Sequence, residues 1–186
     1  MRLCGPALTL KGHAGDNLML LKALDMAKAG DVIIADMGQL TEAGPWGEVT
    51  TVQAKARKFG GFVTNGSVRD SQAIRELGFP VFCKSVSIKG TAKDSLGYIN
   101  HPISIGDTPV NPGDIILGDD DGIVVIPLQE TIEVLIKAKE REAKEAEYMR
   151  RIRNVESFFY FMGYDKILQE KGCIIEESNP KEENAL

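Results

Sequence analysis

The sequence predicts an α/β protein, and three observations carry the prediction. Apolar runs of strand length, Asp31-Val-Ile-Ile-Ala-Asp36 and Phe62-Val-Thr-Asn65, alternate with segments whose apolar residues recur at helical spacing. Gly-Asp and Gly-Gly turns separate them. One long helix, rich in Ala and charge, follows from Leu128. The implied organisation is an α/β domain over residues 1–154, a helical extension over 155–175 that packs on a neighbouring copy, and a disordered tail over 176–186.

In chain order, residues 3–10 form a strand around a Gly5-Pro6 kink. Asp16 caps a helix that carries Leu20, Leu21, Leu24 and Ala27 and ends at Gly30. Asp31 to Asp36, apolar on both faces, is a buried strand. Gly47 opens a second helix reaching about Phe59, with Val49, Val52, Ala56 and Phe59 as its apolar positions. Gly60-Gly61 stops it, and Phe62 to Asn65 is the next strand. Ser71 to Leu77 is a short helix, Pro80 to Lys84 a strand, and a loop runs on to His101.

The stretch 105–114, IGDTPVNPGD, reads as a hairpin region, and Ile115-Ile-Leu117 and Ile123 to Ile126 flank the Asp119-Asp-Asp-Gly122 turn. Gly30 to Asp36 echoes Gly113 to Asp119, which leaves open a duplicated half or two similar strand entries. The helix over 128–154 spans about 40 Å, against a radius of gyration of about 16 Å for a domain of this size. Ile132, Leu135 and Ile136 face a core; Glu140–Lys144 and Glu147–Arg151 support the rest, which lies in solvent or on a neighbouring subunit. Phe158, Phe159, Phe161 and Met162 form an apolar cluster that favours docking.

Composition narrows the function classes. The 186 residues carry 22 Lys+Arg against 27 Asp+Glu, a net charge of -5, which argues against a nucleic-acid partner held through phosphates. No apolar stretch approaches the roughly 20 residues of a membrane span. Cys4, Cys83 and Cys173 are too few and too scattered for a disulfide framework, so reduced thiols and a cytoplasmic location are the expectation.

Chemistry concentrates in one unit. If the strands over 31–36 and 61–66 are parallel, the start of the intervening helix, Gly47-Glu-Val-Thr50, meets the turn Gly66-Ser-Val-Arg-Asp70 at one sheet edge. Helix-start amides suit a carboxylate or phosphate, Arg69 suits a keto or enolate oxygen, and Asp70 suits Mg²⁺ or Mn²⁺. Together they describe a keto-acid site. Singly, each has an ordinary reading: Arg69-Asp70 as a surface ion pair, Glu48 as a charge favouring the helix dipole. Asp119-Asp-Asp121 reads as a polar turn, His13 and His101 as isolated side chains, and Thr91 and Lys93 as parts of a solvated loop.

The motifs RLCGPALTL, GDNL, GDVIIAD, GEVTTVQAKARKFGGFVTNGSVRD, PVFCKSVS, GTAKD and PGDIILGDDDGIVVIP, in this order, resemble the RraA-like family over nearly the whole chain to about Gly172. That family includes class II 4-hydroxy-4-methyl-2-oxoglutarate aldolases and oxaloacetate decarboxylases. The resemblance implies a swivelling β/β/α fold with a long C-terminal helix, assembled as homotrimers or hexamers with sites between subunits. An acidic residue, twenty intervening residues and Arg-Asp mark the family's catalytic constellation; Glu48 and Arg69-Asp70 match it.

By the same carry-over, the amides of Gly47, Glu48, Val49 and Thr50 bind the pyruvoyl carboxylate of a small 2-oxo acid. Arg69 binds the keto oxygen, Asp70 holds the divalent metal, and Glu145, with Glu142 close by, reaches in from a neighbour's C-terminal helix. Two departures stand out: the aldolases commonly have Asp where this chain has Glu48, and their N-terminal helical segment precedes the strand at which this sequence begins. The expected function is metal-dependent carbon–carbon lyase chemistry; the alternative is a protein-binding regulator of a ribonuclease, the role for which RraA is named.

Overall fold

A computed structural model of the chain describes residues 2–38 and 41–175; the tail expected over 176–186 lies outside the described residues. The chain divides into two compact units, Met1–Val134 and Leu135–Leu186. The first contains β1 (Leu3–Lys11), α1 (Leu18–Met26), β2 (Val32–Asp36), α2 (Glu48–Ala56), β3 (Gly61–Thr64), β4 (Ser67–Val68) and α3 (Ser71–Leu77). It continues through β5 (Val81–Phe82), β6 (Ser85–Val86), β7 (Tyr98–Ile99), β8 (Ile103–Ile105), β9 (Thr108–Val110), β10 (Ile115–Asp119) and β11 (Gly122–Ile126). After a 3-10 turn at Leu128–Glu130, α4 (Thr131–Arg153) runs into the second unit, which adds α5 (Phe158–Phe161) and α6 (Tyr164–Glu170).

The main sheet has the order β11-β10-β1-β2-β3-β5, with β7 also on β1. β1 serves two sheet halves: residues 3–6 pair antiparallel with β10, and residues 7–11 pair parallel with β2. β2, β3 and β5 continue the parallel run. The all-apolar stretch of β2 is explained by burial on both faces. Ile33 and Ala35 join Leu20, Leu24, Trp46 and Phe62 in a helix-side core. Val32 and Ile34 join Leu3, Val63, Ile103 and Val110 under the β8–β9 hairpin. Strand alternation thus produces three layers, helices, sheet and hairpin, from one apolar run. The echoing segments lead into β2 and β10, which pair with β1 in opposite directions.

Several expectations need correction. α1 closes at Met26, short of Gly30, because Ala27 already has extended backbone. α2 ends at Ala56, and its buried residues are Thr50, Thr51 and Ala54. Val49 and Val52, expected as apolar positions of this helix, are 75% and 49% exposed, because the threonine hydroxyls face inward to cap the helix start. Only Val81–Phe82 of the stretch 80–84 pairs as a strand, and the loop that follows contains the short β6 and β7.

Ile132, Leu135 and Ile136 are exposed, and α4 buries none of its residues; three apolar positions within about one turn make too narrow a stripe to seat a helix. Glu147 pairs with Arg150 rather than Arg151, which turns to Glu156. Within the second unit, Phe158 and Phe161 meet edge to face at 5.4 Å, Tyr148 and Tyr164 ring Phe158, and the Arg151 guanidinium lies 3.9 Å over Phe161. No described helix is long and apolar enough to cross a membrane.

Candidate active site

The site begins with a buried tryptophan. Trp46 stacks on Phe62 at 4.0 Å and 9° and donates its indole N–H to Thr51 Oγ1 at 2.7 Å. The loop leading to α2 is thereby fastened to the sheet. At the helix start, Thr50 Oγ1 accepts the Gly47 N–H at 2.9 Å, and the hydroxyls of Thr50 and Thr51 both donate to the Gly47 carbonyl at 2.8 Å.

The turn after β4 closes onto this start. Arg69 donates its backbone N–H to Trp46 O at 2.8 Å and its Nη1 to Gly44 O at 2.8 Å. Asp70 Oδ2 accepts the Glu48 N–H at 3.0 Å and lies 3.5 Å from Arg69 Nε. Asp70 sits at φ 55°, in the left-handed region that L residues with a side chain seldom occupy. A Cβ on Gly47 would fall 2.5 Å from Asp70 Oδ2 and 2.8 Å from Arg69 Cγ. Only glycine lets the two segments approach this closely.

The structure therefore brings Gly47, Glu48, Val49, Thr50, Arg69 and Asp70 together at one edge. Of the four amides named from the sequence, two already have protein acceptors: Gly47 bonds Thr50 Oγ1 and Glu48 bonds Asp70. Those of Val49 and Thr50 lie in the first turn of α2, where helix geometry supplies no intrahelical acceptor, and they are the ones left for an anion. The Glu48 side chain is exposed beside them. Glu145 lies on α4 in the second unit, where it accepts from Arg141 Nε at 2.6 Å.

Of the remaining residues the sequence singles out, His13 and His101 are exposed, and Asp119 Oδ1 accepts the Asp121 amide in a local turn. The Thr91–Lys93 loop is less free than expected. Asp16 Oδ2 accepts the amides of Asp94 and Ser95 at 2.6 and 3.0 Å, and its Oδ1 that of Leu18. Burial would push the Asp16 carboxyl up; these three amides outweigh it and hold the pKa below the ordinary aspartate range.

Sequence reasoning missed Asn17. Asp16 takes over the capping of α1, and Asn17 instead reaches across to donate Nδ2 to Pro45 O at 3.3 Å, bracing the loop before Gly47. Its Oδ1 is buried with no hydrogen-bond partner among the described residues, a state that favours a donor from outside the chain. The one signal in the sequence is redundancy: Asp16 and Asn17 are adjacent cap-forming residues where a helix needs one.

Among the described residues, no group of three or more His, Cys, Asp or Glu gathers as a full metal cage. Asp70 nevertheless fits a hard cation that takes one carboxylate and keeps most of its waters, the habit of Mg²⁺.

The RraA-like family model, described as Aldolase/RraA, matches residues 1–125. A Halalkalibacterium halodurans protein provisionally named as a 4-hydroxy-4-methyl-2-oxoglutarate aldolase is 43% identical over 143 residues, 76% of this chain and 68% of its own. The Thermus thermophilus 4-hydroxy-4-methyl-2-oxoglutarate aldolase is 29% identical over 126 residues, 68% of this chain and 76% of its own. Among solved structures, the RNA-processing inhibitor RraA from Thermus thermophilus superposes with a TM-score of 0.64 at 28% identity, covering 68% of this chain and 76% of that one. Sequence, fold and relatives agree: the chain belongs to the RraA-like family.

Proposed function

We propose that this protein is a divalent-metal-dependent carbon–carbon lyase acting on 2-oxo acids, by retro-aldol cleavage to pyruvate, by oxaloacetate decarboxylation, or by both. The observation that carries the reading is the meeting of Asp70 with the start of α2, which sets the Val49 and Thr50 amides beside a guanidinium and a carboxylate. The aldolase names of the relatives support it.

The Val49 and Thr50 amides, at the positive end of the helix, would hold the substrate carboxylate. Arg69, its plane set by the bond to Gly44 O, would donate to the 2-oxo oxygen and stabilise the enolate charge as the C3–C4 bond breaks. Asp70 would hold Mg²⁺ or Mn²⁺ through the carboxylate oxygen that Glu48 leaves free. When bound, the ion supplies Lewis-acid polarisation of the carboxylate and 2-oxo oxygens. Glu48 would take the 4-hydroxyl proton of an aldol substrate through water. Oxaloacetate releases CO₂ and needs no such base, so decarboxylation is the less demanding activity. Glu145, freed from Arg141, would complete the site of a neighbouring subunit in a homotrimer or hexamer; the exposure of Val49 and Val52 beside the site supports such a neighbour.

The test is oxaloacetate turnover above the free-metal rate, abolished by EDTA and by Asp70→Ala. Turnover equal to the free-metal rate contradicts the proposal. The second reading, a non-catalytic regulator of a ribonuclease, is supported by the RNA-processing inhibitor among the similar structures. Capture of a ribonuclease together with no lyase activity would favour it.

A further inference from the structure

A cleft of about 930 Å³ opens where β1, β2, β3 and β5 end, on the hairpin side of the sheet, and shares no residue with the candidate active site. Its volume lies within the roughly 300–1,000 Å³ of small-ligand sites, and like them it combines apolar walls with a few placed polar groups. Val63, Val81, Phe82 and Ile105 supply the walls; Lys11, Asp36, Asn65 and Lys84 supply the polar groups.

The polar groups are arranged rather than scattered. The Lys11 ammonium bonds Asp36 Oδ2, while Asn65 Nδ2 and the Gly38 amide donate to Oδ1 at 2.8 and 3.1 Å. Asn65 Oδ1 in turn accepts the Met37 amide at 2.9 Å. Burial would push the Asp36 carboxyl up, but these donors outweigh it and keep it ionised. With Asp36 so occupied, the charge left facing the cleft is positive. Lys11 has N–H groups to spare and its side chain is 47% exposed, and Lys84, also exposed, lines the same cleft. Two cations against one satisfied carboxylate make a positive cleft on a chain of net charge -5. The nearby Cys83 thiol is pushed up by burial, which leaves it protonated and a poor nucleophile.

We infer that this cleft binds a small organic carboxylate with an apolar body, whose carboxylate is taken by Lys11 and Lys84 and whose body lies on Val63 and Phe82. The site goes beyond the lyase reading and does not depend on it.

Benzoate is the probe and benzamide its uncharged counterpart, titrated calorimetrically into the full chain. Benzoate binds saturably and benzamide does not; Lys84→Gln weakens benzoate at least tenfold and Lys84→Arg restores it. Because Lys84 is exposed, these variants leave the core intact, whereas Lys11 variants would strand Asp36. Asp70→Asn, which alters the other site, leaves benzoate affinity unchanged, so failure here and failure of the lyase reading are separable. No saturable binding, binding indifferent to Lys84→Gln, or binding lost in Asp70→Asn would each overturn the inference.

Discussion

Asp70 caps a helix to which it does not belong: its Oδ2 accepts the Glu48 amide at 3.0 Å across 22 residues of sequence. The fold asks this carboxylate for an acceptor at the helix start, and the proposed lyase site would ask it for a negative charge toward a cation as well. Asp70→Asn keeps an oxygen for the cap and removes the charge, whereas Asp70→Ala removes both. Denaturant melts should show Asp70→Ala losing about 0.5–2 kcal/mol, the usual value of a cap, and Asp70→Asn losing less. Lyase turnover should vanish in both. Equal stability losses would show that the cap contributes nothing.

Gly47→Ala tests the close approach. Its Cβ would meet side-chain atoms of Asp70 and Arg69 at 2.5 and 2.8 Å, so these two side chains must shift away from the helix start. A loss of about 1–3 kcal/mol is expected, with turnover falling further than stability accounts for. An active, fully stable Gly47→Ala protein would mean the two segments need not touch.

Trp46 fastens the site loop to the sheet through Phe62 and Thr51. Trp46→Ala should cost about 3–5 kcal/mol, the range for buried aromatics. Trp46→Phe keeps the stack and loses one hydrogen bond, about 0.5–1.5 kcal/mol. Equilibrium unfolding of both distinguishes packing from the indole N–H.

Acid should unfold the first unit by a defined route. Asp16 and Asp36 are both held below their ordinary pKa, against burial, by amide, Asn65 and Lys11 donors. A depressed carboxyl contributes stability above its unfolded value, about 3.9, and loses it as pH falls through the folded value. Stability should stay flat from pH 7 to about 5 with respect to these groups and decline below about 4. Asp36→Asn should be less stable at pH 7 and show a shallower acid decline; a slope identical to the parent would exclude Asp36.

Glu145 is proposed to act in a neighbour's site. Asp70→Ala and Glu145→Ala should each be inactive alone, and co-expressed mixed oligomers should regain activity, because some sites then receive Asp70 from one subunit and Glu145 from another. Mixed oligomers as inactive as the parents would mean that a single subunit supplies both residues of each site.

Much of the fold was legible in local pattern. The double-faced apolar run 31–36, the Ser71–Leu77 helix and the strands flanking the 119–122 turn needed only periodicity and turn chemistry. The convergence of the 47–50 segment with residues 69 and 70 followed from strand and helix lengths. What escaped was set by partners distant in sequence: Trp46 is a site anchor only because Phe62 and Phe79 lie beneath it. Thr50 and Thr51, not Val49 and Val52, turn inward because their hydroxyls serve Gly47. Asn17 matters through Pro45, 28 residues away.

The central claim, that the start of α2 and the Arg69–Asp70 pair share one divalent ion and one substrate carboxylate, is tested most directly by a crystal structure with Mn²⁺ and oxalate. Manganese is expected on Asp70 and an oxalate carboxylate on the Val49 and Thr50 amides, with Arg69 on an adjoining oxygen. Manganese or oxalate bound with Asp70 and the α2 start both left empty would contradict it.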